Sequence, residues 1–113
     1  MSLFGLALSA HLIADFPLQP DWMARGKTES YAVLAAHVTV HTVVLSVFLY
    51  GLTPLPLDTL GTVVAAVSAV HALIDTRRWV SPNEEWVQPM LWVWLNDQIM
   101  HISSIAIILS VIL

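Results

Sequence analysis

Apolar residues gather into four runs, roughly residues 2–18, 31–52, 59–74 and 90–113, and short proline-bearing, charged stretches separate them. Each run approaches the roughly 17–25 residues that cross about 30 Å of hydrocarbon as a helix, the first and third being short. None alternates with the period of two that a barrel strand needs, and a spanning segment must satisfy its own backbone hydrogen bonds, so all four read as helices. The fold class expected is all-α, a four-helix transmembrane bundle forming a single integral-membrane domain over residues 1–113. Loop 19–30 holds Pro20 and four charges, 53–58 holds Pro54 and Pro56 with Asp58 as the expected N-cap, and 76–88 holds Arg77, Arg78, Pro82, Glu84 and Glu85. Loops this short make neighbouring helices antiparallel. The four cations, Arg25, Lys27, Arg77 and Arg78, all fall in the first and third loops. The positive-inside rule then places those loops in the cytoplasm and both termini outside, with Trp22, Trp79, Trp86, Trp92 and Trp94 as interfacial anchors near the same boundary.

Composition agrees with this pattern. The 113 residues are 58% hydrophobic and 11% charged, against about a quarter charged in soluble domains. Four cations make no basic stripe, which excludes a nucleic-acid partner. The absence of cysteine excludes disulfides, thiolate zinc sites, iron–sulfur clusters and thiol nucleophiles, so any metal must be held by nitrogen and oxygen. Ala7-Leu8-Ser9-Ala10 faintly resembles a cleavage site, but no cationic region and almost no apolar core precede it, so it is not read as a leader.

The chemistry lies in the ionisable residues inside or at the ends of the runs. They are His11 and Asp15, His37 and His41, His71 and Asp75, and Asp97 and His101, one pair per run and every pair spaced i, i+4. An aspartate at the centre of a spanning helix costs roughly 2.5–3.5 kcal/mol on the insertion scale, so such residues need a partner or a function. The i, i+4 spacing stacks two side chains on one helical face, as metal-ligand pairs do. All five histidines are used, and random placement would give four such pairs on the order of once in a thousand sequences or less. Counted from the cationic loops at about 1.5 Å per residue, all eight groups lie within roughly 15 Å of one membrane surface. A lone histidine on an apolar helix is most often a hydrogen-bonded packing residue; eight ionisable groups at one depth reverse that expectation. A metal-free proton relay or hydrogen-bonded core remains an alternative.

Imidazole with carboxylate suits one or two divalent transition metals, zinc foremost, with Mn, Fe, Co or Ni also suited and Mg and Ca disfavoured. The ligand set expected is His11, Asp15, His37, His41, His71, Asp75, Asp97 and His101, with Asp15 or Asp97 as general base. Gln19, Asn96 and Gln98 are either donors that orient ligand imidazoles or polar residues of the membrane boundary. Arg25 and Lys27 are either holders of a lipid phosphate or topology-setting cations. Thr39, Thr42, Ser103 and Ser104 read as helix-packing residues, and no serine sits in a nucleophile-elbow context.

The stretch from His11 to Lys27, with its His11-Leu12-Ile13-Ala14-Asp15 and Pro20-Asp21-Trp22 elements, resembles the opening of the bacterial, archaeal and phage family called domain of unknown function 3307. His37, the His71 and Asp75 pair, and Asp97-Gln98-Ile99-Met100-His101 fall where that family also carries polar motifs. The resemblance covers nearly the whole chain and implies a membrane fold with a polar cluster, without supplying chemistry. A looser similarity of architecture links the chain to inner-membrane metal-dependent hydrolases, from which no residue role is carried over.

The function expected is hydrolysis of a lipid or lipid-linked phosphoester or other ester near the cytoplasmic leaflet. Two alternatives stand beside it. One is a divalent-metal or proton transporter, for which four short helices would need to form a homo-oligomer. The other is a structural subunit whose metal only staples the bundle.

Overall fold

The computed structural model describes residues 2–77 and 90–113, the side chains of 90–92 excepted. Among the described residues the protein is all-α, with α1 (Leu3–Asp15), α2 (Asp21–Gly26), α3 (Tyr31–Leu52), α4 (Leu57–Asp75) and α5 (Met90–Ile112), and no strand. Three of these, α3, α4 and α5, are long and apolar enough to cross a membrane.

The first helix is shorter than the apolar run that contains it. Ser2 caps its start, its hydroxyl accepting from the Gly5 amide at 3.0 Å. Pro17 ends it early, because proline lacks an amide hydrogen and disfavours helical geometry at the residue before it; Phe16 accordingly departs to φ −115°, ψ −79°. The carbonyl left open at Asp15 is taken by the side-chain amide of Gln19, which donates to it at 2.6 Å. Thirteen residues give about 20 Å of helix, less than the roughly 30 Å of hydrocarbon. The expected first span over 2–18 is therefore corrected to a short apolar helix followed by a turn.

The first loop also folds further than expected, forming α2 against α3. Met23 of α2 is buried, and Gly26 lies so close to Val33 that a β-carbon would meet its methyls at 3.0–3.2 Å. Helix α3 starts at Ser30, whose hydroxyl accepts from the Val33 amide, and stops before Pro54, which holds Thr53 extended. Helix α4 begins earlier than expected: Pro56 is its N-cap, and Asp58 lies inside the first turn, where a carboxylate still favours the positive end of the helix dipole.

The principal contacts run from α1 to α3, α3 to α4, α4 to α5 and α5 back to α1, closing a ring of the short α1 and the three long helices. One half of the bundle is apolar, with Ala7, Ala10, Leu45, Leu49, Val63 and Ile105 among its buried side chains. Two alanines of α1 let its backbone approach closely. The other half holds all eight ionisable residues. They come from the C-terminal parts of α1 and α4 and the N-terminal halves of α3 and α5, as antiparallel neighbours require. Between the halves, the hydroxyls of Thr42 and Ser68 join α3 to α4 at 2.8 Å. Outward faces remain apolar, with Val47, Leu73, Ile107 and Val111 exposed. Of the expected tryptophan belt, Trp22 and Trp94 are exposed; Trp79, Trp86 and the Trp92 side chain lie outside the described residues, as do Arg78, Glu84 and Glu85.

Candidate metal centre

The eight residues picked out by spacing converge on one another, each 3% exposed or less. Asp75, at the end of α4, is their hub. Its Oδ2 lies 2.9 Å from His71 Nε2 and 3.1 Å from His37 Nε2, and the two imidazole nitrogens are themselves 2.9 Å apart. Its Oδ1 meets His101 Nε2 at 3.0 Å. Asp15 continues the cluster, with Oδ1 3.1 Å from His37 Nε2 and Oδ2 3.2 Å from His11 Nε2. Asp97 is more loosely held, its Oδ1 3.6 Å from His101 Nε2. Three triads bring potential ligand atoms within 4.8 Å of one another: His11 with His71 and His101, Asp15 with His37 and His71, and Asp75 with Asp97 and His101. His41 belongs to none of these. It sits one turn nearer the apolar half, its ring stacked on His71 with centroids 3.9 Å apart.

Residues outside the eight complete the site. Gln98 is a bridge: its Oε1 lies 3.1 Å from His11 Nε2, and its Nε2 donates to Asp15 Oδ2 at 3.2 Å and to Asp97 Oδ2 at 3.4 Å. Of the two readings of Gln98, orientation of the ligands is the one its contacts match. Gln19 caps α1 instead, and Asn96 is half-buried on α5. Lys27 departs furthest from expectation. Docking of α2 folds it inward until it is 5% exposed, with Nζ 3.2 Å from Asp75 Oδ1; Arg25 stays exposed. Arg77 lies across the cluster with Nε 3.9 Å from Asp97 Oδ1. A cavity of about 320 Å³ reaches the cluster, lined by Asp15, Asp97 and Gln98 together with Lys27, Arg77 and Trp94.

Residues 3–113 match the family described as protein of unknown function (DUF3307). The chain belongs to the DUF3307 family. No curated protein and no solved structure matches it. What this DUF3307 protein does must therefore come from the chemistry of the cluster.

The cluster is poorly satisfied by protons alone. One oxygen of each carboxylate, Asp15 Oδ1, Asp75 Oδ2 and Asp97 Oδ1, is buried without a hydrogen bond, although histidine nitrogens stand beside all three. Each such buried polar atom costs about 1–3 kcal/mol, and more when it belongs to a charged group. Imidazole nitrogens and carboxylate oxygens that crowd together with some of these atoms left unpaired are a donor set that could hold a cation. Ligand atoms about 2.0–2.1 Å from a common ion stand about 3.3–3.4 Å apart in a tetrahedron and about 2.8–3.0 Å apart at right angles, so the 2.9–3.1 Å separations around Asp75 Oδ2 lie closer to right-angled than to tetrahedral ligation. The two oxygens of Asp75 face different groups, His37 with His71 on one side and His101 with Lys27 on the other. The donor set could thus hold a metal ion in any of the three triads, Asp15 with His37 and His71 among them, where Asp15 Oδ1 stands 3.9 Å from His71 Nε2.

Proposed function

We propose that this DUF3307 protein is an integral-membrane, metal-dependent hydrolase acting on a lipid or lipid-linked phosphoester, or another ester, at the cytoplasmic leaflet. The observation that carries the reading is the set of unsatisfied carboxylate oxygens among histidine nitrogens, reached from one end of the bundle by a cavity. Nitrogen and oxygen ligands suit zinc foremost, and Mn, Fe, Co or Ni as well. When bound, such an ion supplies Lewis acidity at the scissile oxygen and makes water nucleophilic near neutral pH.

The chain's own residues would divide the remaining work. His37, His71, Asp15 and Asp75 hold the ion, with His11 and His101 completing the donor set. Asp97 lines the cavity and is held loosely, at 3.4 Å by Gln98, 3.6 Å by His101 and 3.9 Å by Arg77. It is therefore the better placed of the two candidate bases to accept a proton from water, with Asp15 tied more closely to His37. The cluster lies at the end of the bundle that carries Arg25, Lys27 and Arg77, which by the positive-inside rule faces the cytoplasm.

The transport alternative is disfavoured by the packed apolar half of the bundle, which an ion would have to cross. The structural alternative draws support from the near-complete burial of the eight residues, and exchange of the metal separates the two. The test of hydrolysis is release of phosphate from phosphatidic acid in mixed micelles, after reconstitution with each candidate ion. Metal-dependent turnover that Asp97→Asn abolishes at unchanged metal content supports the assignment. A metal-loaded wild type that cleaves no ester or phosphoester would remove it.

A further inference from the structure

Arg77 stands at the mouth of the cluster in a conformation that its own backbone opposes. It is the residue after the cap of α4 and takes φ 52°, the left-handed position at which helices usually end in glycine. A β-carbon there costs about 1–2 kcal/mol. Its amide still closes the turn on the Ile74 carbonyl at 3.0 Å. The turn carries the guanidinium to the cavity, where Nε is buried without a hydrogen bond. Asp97 at 3.9 Å is too far to satisfy it. Lys27, the second cation of this cavity, is buried against Asp75. Beside them Phe16 and Trp94 meet edge to face with centroids 6.3 Å apart, and both are exposed.

From this arrangement, and resting on the metal-dependent reading above, we infer that the cavity binds a phosphate group carried on an apolar chain, after the metal. Arg77 and Lys27 receive the phosphate oxygens, and Phe16 and Trp94 support the first carbons of the chain. Guanidinium is suited to the task because its fork of donors matches phosphate. The order of binding follows from charge. Asp15, Asp21, Asp75 and Asp97 formally outweigh Lys27 and Arg77 by two negative charges, which repels an anion; a single divalent ion cancels that excess and leaves Lys27 and Arg77 free to attract one. A free phosphate shares the headgroup chemistry, so the probes must differ in the apolar chain alone.

The test uses full-length protein in detergent and two ligands with uncleavable carbon–phosphorus bonds, methylphosphonate and octylphosphonate, titrated calorimetrically with metal content measured on the same samples. Metal-loaded protein is expected to bind octylphosphonate at least tenfold more tightly than methylphosphonate, and stripped protein is expected to bind both at least tenfold more weakly than loaded protein does. Arg77→Gly is expected to weaken both ligands by about tenfold or more, while its thermal midpoint stays level or rises because glycine relieves the strained φ. Trp94→Ala should weaken octylphosphonate alone. Equal affinities for the two phosphonates, wild-type binding by Arg77→Gly, or equal binding with and without metal would each overturn the inference. Metal-loaded protein that binds neither phosphonate overturns it and leaves the metal centre standing; protein that takes up no metal overturns both.

Discussion

Asp75→Asn is the substitution that probes the cluster most sharply, because it removes one charge and almost no volume. In the metal-free protein, Asp75 Oδ1 faces Lys27 Nζ at 3.2 Å, with the lysine side chain 5% exposed and that of Asp75 wholly buried. At an effective dielectric of about 20, unit charges at that separation attract by about 5 kcal/mol. Removing one member of a buried pair leaves the other uncompensated, which costs about 3–5 kcal/mol. The two figures agree, so a loss of roughly 3–5 kcal/mol is expected from Asp75→Asn in chelator-treated protein. The assay is unfolding by increasing mole fraction of denaturing detergent in mixed micelles, followed by circular dichroism. Lys27→Met supplies the control, since combining it with Asp75→Asn removes the orphaned ammonium and should recover at least half of the loss. A single variant within about 0.5 kcal/mol of wild type, or a double variant whose loss is the sum of the two singles, would refute the claim that these buried charges depend on each other.

Three further outcomes follow from the geometry. Gln98→Leu withdraws the amide that joins His11, Asp15 and Asp97 and should weaken metal binding by about 10- to 100-fold, measured by competition with a chelating dye, while leaving the helices intact by circular dichroism. His41→Phe keeps an aromatic ring stacked on His71 but deletes both nitrogens, so metal stoichiometry should not change; its loss would make His41 a ligand after all. Ala10→Leu forces extra volume into the fully buried contact of α1 with the bundle and should destabilise by about 1–3 kcal/mol in the same unfolding assay.

The polar cluster was legible in the sequence because helical geometry fixes which residues share a face. Four i, i+4 pairs of His and Asp needed only helices and a common depth to meet, and those two conditions hold for His11, His37, His71, Asp75 and the rest. The length of α1 was less legible: the apolar run continues to Leu18, and composition outweighed the effect of Pro17 on Phe16. From the sequence, Lys27 and Arg77 are mainly loop cations that set topology, since a charge between two helices is usually solvated. Their approach to the cluster depends on tertiary detail, namely the seating of Met23 and Gly26 against α3 for Lys27 and a left-handed turn at Arg77. The local signals were faint. Asp21 and Arg25 sit where a short helix favours an acid and a base, and Arg77 follows the cap of the helix that ends in Asp75.

The central claim, that the converging histidines and aspartates form a metal site, is tested most directly by elemental mass spectrometry of detergent-purified protein after exposure to Zn, Mn, Fe, Co and Ni in turn. Wild type is expected to retain at least one ion per chain, and both Asp75→Ala and His71→Ala, verified as helical by circular dichroism, are expected to retain none. Wild-type protein that emerges metal-free from every reconstitution would contradict the account and return the cluster to a hydrogen-bonded core.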